Sequence, residues 1–171
     1  MKDIVAAGYA GETGAVRLSQ ERRELILTRF REDYADRMCR LYPNIPDRTE
    51  LERYAESPDD ISEIGEGGAL TALYDMLKVR RCGCRIERKK IPVRQTTIEI
   101  CELLGLDPYR LEGRGYVILT DDGEKLENDL RARGYPAGCI GRLSDDLDKL
   151  IIDHPDKIEY LSRNYNQKGT N

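Results

Sequence analysis

Apolar positions along this chain fall into short blocks separated by glycine, proline and acidic turns. Residues 3–7 (DIVAA) make a short apolar run that predicts a buried strand, and the run enters Gly8-Tyr-Ala-Gly11-Glu-Thr-Gly14, a glycine-rich turn. Leu25, Ile26 and Phe30 then share one side of a helix expected over 20–30, with Ser19 as its N-cap. Tyr34, Met38, Leu41 and Tyr42 predict a second helix over 32–42, which Pro43 and Pro46 end.

Residues 47–66 carry eight acidic side chains against two Arg, which predicts a partly mobile segment. Gly67-Gly68 opens the strongest helical pattern, over 68–79, where Ala69, Leu70, Leu73, Met76 and Leu77 form an apolar stripe. The stretch 78–94 reverses the charge, with eight Lys or Arg and one Glu, and Cys84 and Ile86 alternate with polar neighbours as in a strand over 83–88. A helix over 95–104 should turn Ile98, Cys101 and Leu104 inward and stop at Gly105. Residues 116–119 read as a strand, and Thr120-Asp-Asp-Gly should cap a helix over 123–133 that Gly134 ends.

Three further strands are expected near 137–142, 147–152 and 157–161. Gly141-Arg-Leu and Leu150-Ile-Ile flank Asp145-Asp146, which predicts a hairpin. The tail 163–171 is polar and expected to fray. Strands and helices alternate irregularly, so the predicted class is α+β: a mixed or antiparallel sheet with helices packed on one face.

Composition narrows the function classes. At 171 residues the chain is about one domain long, and 35% charged with 39% apolar residues describes an ordinary globular protein. No apolar run approaches a membrane span, and the N-terminus lacks a signal-peptide pattern, which predicts a cytoplasmic protein. A net charge of −4 argues against a general nucleic-acid binder. One His, one Phe and no Trp leave few groups for acid–base catalysis or base stacking.

The five cysteines (39, 82, 84, 101, 139) are odd in number and predict no disulfide framework. Only Cys82-Gly-Cys84 is closely spaced, and neither a second pair nor His154, placed in a turn, supplies the remaining ligands of a metal site. Cys84, Cys101 and Cys139 read as small core residues.

Two glycine clusters could approach an anion. Gly8, Gly11 and Gly14 would let main-chain N–H groups near a phosphate, although their spacing fits neither common nucleotide fingerprint and no helix is expected at once after them. Glu66-Gly67-Gly68 stands at the start of the strongest helix, where free N–H groups attract negative charge. The plainer reading of both is a tight turn. The basic stretch Lys78 to Arg94 offers a phosphate surface or, more simply, a solvated edge with the acidic 47–66 segment as its internal partner. Asp59/Asp60, Asp121/Asp122 and Asp145/Asp146 are carboxylate pairs, the last two in turns.

The order of segments carries a resemblance. Glu66-Gly-Gly-Ala-Leu-Thr-Ala-Leu-Tyr-Asp-Met-Leu is followed by Gly83-Cys-Arg-Ile-Glu, Ile91-Pro-Val-Arg, the stretch from Thr97 to Leu111 and Gly115-Tyr-Val-Ile-Leu. This resembles the C-terminal domain of the aminoimidazole-ribonucleotide synthase (PurM/HypE-like) superfamily, in particular the hydrogenase-maturation HypE-type branch. The resemblance divides the chain into a connector-like strand and glycine loop (1–18), a helical acidic segment (19–62), the C-terminal-type core (63–162) and a polar tail (163–171).

Full-length members of that family are two-domain, ATP-dependent enzymes that activate an oxygen of an amide or related group by phosphorylation. HypE-type members dehydrate a carboxamide carried on their own C-terminal Cys. The resemblance therefore implies phosphate contacts by Gly11, Gly14, Glu66, Gly67 and Gly68, and no metal ligand. Relatives carry His-Asp-x-Thr before the Glu-Gly-Gly, where this chain has Ser62, Glu63 and Gly65. Nothing in it corresponds to the ATP-binding N-terminal domain, and no Cys follows Cys139. The expectation is a domain that acts by binding or assembly, with itself or with a partner. The alternative is one chain of a split enzyme, with ATP and Mg²⁺ bound only when a separate N-terminal-type chain completes the site.

Overall fold

Ile4 and Ala6 point to one side of the first strand and Val5 and Ala7 to the other, and all four are buried. A strand covered on both faces needs a layer above and a layer below it. The computed structural model describes residues 1–163. In chain order these form β1 (Asp3–Ala7), α1 (Glu12–Glu21), α2 (Arg23–Leu27), α3 (Glu32–Met38), α4 (Arg48–Glu52), β2 (Ile61–Glu63) and α5 (Gly68–Arg80). There follow β3 (Gly83–Ile86), α6 (Gln95–Leu104), β4 (Tyr116–Thr120), α7 (Gly123–Ala132), β5 (Ala137–Ser144), β6 (Lys149–His154) and β7 (Lys157–Tyr160).

The strands make one seven-stranded sheet in the order β2-β4-β1-β5-β3-β6-β7. All neighbours are antiparallel except β3 and β6. The predicted α+β class with a mixed sheet is what the chain adopts. Its helices, expected on one face, are divided between two. The α5 stripe of Ala69, Leu70, Leu73, Met76 and Leu77 packs with Ile4, Ala6, Val117, Leu119 and Ile140. Leu126 and Leu130 of α7 and Leu51 of α4 pack with Val5, Ala7 and Ile118 from the opposite side. Each fully buried Leu in these layers contributes on the order of 2 kcal/mol. A third cluster joins Ala15, Ile26, Ala35, Met38, Ile100 and Cys101, so α1, α2, α3 and α6 form a helical lobe beside the sheet.

Several expectations change. A helix does follow the first glycine loop at once: α1 begins at Glu12, and Gly11 is its N-cap with φ of 70°. Ser19 lies inside α1, buried, and its hydroxyl donates to the Ala15 carbonyl at 2.7 Å. The second helix stops at Met38, leaving Leu41 exposed. In α6 the inward residues are Thr97, Ile100 and Cys101, while Ile98 looks into a surface cleft. The acidic stretch 47–66 folds into α4, a short 3-10 turn at Pro58–Asp60 and β2.

The predicted hairpin at Asp145-Asp146 does not form. β3 inserts between β5 and β6, and Gly83 and Cys84 donate to the carbonyls of Asp146 and Asp148 at 2.7 and 2.9 Å. The turn is real, but its two strands each pair with β3 instead of each other. The hairpin in this region is β6–β7. Residues 163–171 were expected to form a tail; 164–171 lie outside the described residues.

Candidate functional site

The two glycine clusters meet on one segment of the chain, residues 107–115. Gly11, at positive φ, lies so close to this segment that a Cβ would stand 2.5 Å from the Pro108 carbonyl oxygen. Gly68, with φ of 78°, lies against the carbonyls of Tyr109 and Leu111, where a Cβ would stand 2.6 and 2.8 Å from the oxygens. Gly14 faces the Leu111 side chain and donates its N–H to the Glu112 carbonyl at 2.9 Å. Gly113 in turn donates to the Gly65 carbonyl at 3.4 Å. The fold thus brings Gly11, Gly14 and Gly68 together around their own chain.

Gly67 is buried against the Thr71 side chain one turn along α5, and Glu66 is exposed beside it. All four predicted glycines are buried, and on the side where a Cβ would stand, Gly11 and Gly68 meet the backbone of residues 108–111. Arg110, on the same segment, is half-buried and donates to Thr71 Oγ1 at 3.4 Å. Burial lowers its affinity for the proton below that of an ordinary guanidinium, the nearby positive charge of Arg88 adds to this, and Asp107 opposes it. Arg110 thus sets a guanidinium beside Thr71 in the first turn of α5.

Beside the first glycine cluster lies an ion cluster. Glu12, the first residue of α1, is 1% exposed. Arg94 Nη1 donates to its Oε2 at 3.1 Å, Arg114 Nη2 to its Oε1 at 2.9 Å, and the Tyr42 N–H to Oε2 at 3.1 Å. Arg94 also reaches the Arg40 carbonyl at 2.7 Å. The cluster ties α1 to the loop after α3, to the residue before α6 and to the segment before β4. A buried carboxylate needs this many donors to offset lost hydration. Its one sequence signal is a charge inside an otherwise small and apolar run, Tyr9 to Val16.

An open cleft of about 940 Å³ lies alongside. Tyr9, Tyr42, Tyr109 and Tyr135 line it together with Lys90 and Arg131. Tyr9 and Tyr42 meet edge to face with centroids 5.1 Å apart. Burial raises the phenol pKa of both Tyr9 and Tyr109. Glu124 and Glu127 share the rim, Arg131 pairing with Glu127 at 3.0 Å, and aromatic faces with a rim of mixed charge suit recognition of a partner or planar ligand.

Most of the basic stretch is committed internally. Arg80 pairs with Asp60, Arg85 with Asp146, Arg88 with Asp153 and Glu159, and Lys90 with Glu87. Of the acidic stretch only Asp60 serves as the expected partner, because β3 carries the other cations to the far end of the sheet. The five cysteines are free. His154, at the exposed end of β6, accepts the Asp156 N–H through Nδ1 at 3.2 Å. Among the described residues no three His, Cys, Asp or Glu side chains gather as metal ligands, and no helix is long and apolar enough to cross a membrane.

Residues 59–153 match the family described as AIR synthase related protein, C-terminal domain. A Methanocaldococcus jannaschii protein named for hydrogenase expression/formation is 30% identical over 159 residues, covering 88% of this chain and 44% of its own. The fold matches HypE from a HypE–HypF complex with a TM-score of 0.71 at 19% identity, over 95% of this chain and 53% of that one. It also matches a hydrogenase maturation protein HypE solved with ATP, with a TM-score of 0.67 at 21% identity, over 94% of this chain and 50% of the other. The chain spans about half the length of the relatives it matches.

Proposed function

This chain belongs to the AIR synthase related proteins by its C-terminal domain, and from that premise we propose that it is a HypE-like binding and assembly domain that does not catalyse a reaction alone. The observation that carries this reading is the filled glycine junction. Gly11, Gly14, Gly67 and Gly68, which the resemblance implies as phosphate contacts, are buried; residues 108–111 pack against Gly11, Gly14 and Gly68, and the Thr71 side chain packs against Gly67. The surfaces left open are the tyrosine-lined cleft and the ends of the sheet, which suit macromolecular contact. Free cysteines support a reducing, cytoplasmic setting.

The test combines light scattering after size exclusion, capture of partners and calorimetry with Mg-ATP. Self-association or a stable partner, with no ATP turnover by the chain alone, is the expected result. ATP hydrolysis by the isolated chain would overturn it.

A second reading is favoured by the ATP-bound fold relative. In it the chain is one component of a split ATP-dependent maturation or amide-activating enzyme, and a separate N-terminal-type chain supplies the nucleotide and Mg²⁺ site. Mixing the two chains should then produce ATP turnover that Arg110→Met lowers. A neighbouring reading frame for such a partner is its genetic counterpart, and absence of nucleotide binding by the mixture would remove it.

A further inference from the structure

We infer that the outer edge of β7 pairs with the same edge of a second copy of this chain, antiparallel and centred on Ile158. The inference rests on the assembly reading above and specifies its surface. β7 is the last strand of the sheet, and all four of its residues are exposed. Ile158 is 57% and Tyr160 71% exposed.

The direction of the main-chain groups follows from one hydrogen bond and the β6–β7 register. The Leu161 N–H donates to the Lys149 carbonyl at 2.8 Å, so Leu161 and, by alternation, Glu159 turn their main-chain groups toward β6. Ile158 and Tyr160 stand opposite Ile152 and Leu150 in the register, and their N–H and C=O groups point outward. Among the described residues no strand pairs with this side. An edge of this kind is a template for another strand.

Charge selects the register. If two β7 edges cross at Glu159, the glutamates of both copies face each other. If they cross at Ile158, each Ile158 exchanges two main-chain hydrogen bonds with its counterpart, and Lys157 of each copy lies beside Glu159 of the other. Lys157 and Glu159 share one side of the strand, so both cross-copy pairs form on that side, while Ile158 and Tyr160 meet on the other. Arg88 already holds Glu159 at 3.1 Å and fixes its carboxylate at the edge. The contact is short, which places it among weak, concentration-dependent associations.

Sedimentation velocity of the full chain from low concentration to about 1 mM reads this directly. Wild type should show a concentration-dependent dimer. Ile158→Pro removes an outward donor without touching the β6 ladder, and should weaken association at least about tenfold with an unchanged circular dichroism spectrum. Lys157→Glu and Glu159→Lys should each lose the dimer, because each places like charges across the edge. Their equimolar mixture should regain it as a heterodimer, since both cross pairs become opposite in sign. A chain that stays monomeric throughout overturns the inference. Self-association that Ile158→Pro leaves intact, or that mixing fails to restore, overturns this edge while leaving assembly through another surface standing.

Discussion

Glu12 and Arg114 are 102 positions apart in the chain and form an ion pair of 2.9 Å, with the carboxylate almost wholly buried. Arg94 completes the cluster from 82 positions away. Replacing Glu12 by Ala leaves two guanidinium groups facing each other in a partly dry site. The expected loss is about 3 kcal/mol, at the low end for a buried pair because Arg94 and Arg114 keep some solvent contact. Glu12→Gln should cost less, since its amide oxygen still accepts. Arg94→Ala and Arg114→Ala should each cost about 1 to 2 kcal/mol, because the carboxylate keeps its other donors. Urea midpoints of the four variants test the order.

The glycine junction makes a sharper contrast. Gly68→Ala places a Cβ 2.6 Å from a backbone oxygen in a left-handed conformation, and should destabilise the fold by more than about 2 kcal/mol. At Gly65, three residues earlier and exposed, nothing lies within 4 Å of the added carbon, so Gly65→Ala should stay within about 0.5 kcal/mol. Thermal melts of both variants decide whether these glycines serve close chain packing. Bulk at Gly67 or Gly68 is for the same reason a poor probe of nucleotide binding, and Arg110 is the cleaner one.

What was legible in the chain was local and periodic. The α5 stripe, the β1 and β4 runs, the Gly105 stop and the Asp122 cap, which accepts the Lys125 N–H at 3.0 Å, follow from spacing and turn chemistry. The start of α1 was hidden because its N-cap is a left-handed glycine with no side-chain cap, while Ser19 offers the usual signal in the wrong place. The turn between β5 and β6 follows from its Asp pair, but its pairing does not, because the competing partner β3 lies more than fifty residues earlier than β5. Covering both faces of β1 required α7 and α5 to be assigned to opposite layers, which strand alternation permits but does not select. Of the Glu12 cluster only the carboxylate is marked locally, as a charge within the small, apolar run Tyr9 to Val16, while Arg94 and Arg114 look like ordinary surface residues within their own segments.

Acid should weaken the fold through two carboxylates. Asp60 is buried; burial alone would raise its pKa, but the Lys2 hydrogen bond and the Arg80 charge outweigh it and hold the carboxyl below its usual range. Asp146, exposed, is lowered to about 2 by Arg85, the Ser144 hydroxyl and the Asp148 N–H. A carboxylate with a lower pKa folded than unfolded stabilises fully above its unfolded pKa, and that contribution is lost as pH falls through the folded value. Stability should therefore decline from about pH 4 downward. Asp60→Asn and Asp146→Asn should each lower stability near neutrality and flatten the acid limb. Denaturant midpoints across that range measure both effects, and an unchanged acid limb in both variants would count against the assignment.

The cysteines should separate by reactivity, and burial gives the reason. A thiol reacts as its thiolate, so raising the pKa and closing access act in the same direction. Cys84 and Cys101 are almost fully buried, and burial pushes both thiols up to about 12. Cys84 lies under the α5 stripe, and Cys101 in the helical lobe with Met38 and Ile100. Neither can meet a reagent without opening of its layer. Cys82 and Cys139 are half-buried, with thiol pKa values raised mainly by burial, and Cys39 is half-buried in the loop after α3. Iodoacetamide near pH 8 should label Cys39, Cys82 and Cys139 in the native protein, more slowly than a free thiol. Cys84 and Cys101 should be labelled only at the rate of unfolding, with midpoints that follow the denaturant curve. Peptide mass spectrometry at increasing urea separates the two groups. Native labelling of Cys84 at the rate of Cys82 would mean that the α5 layer opens well below the global transition.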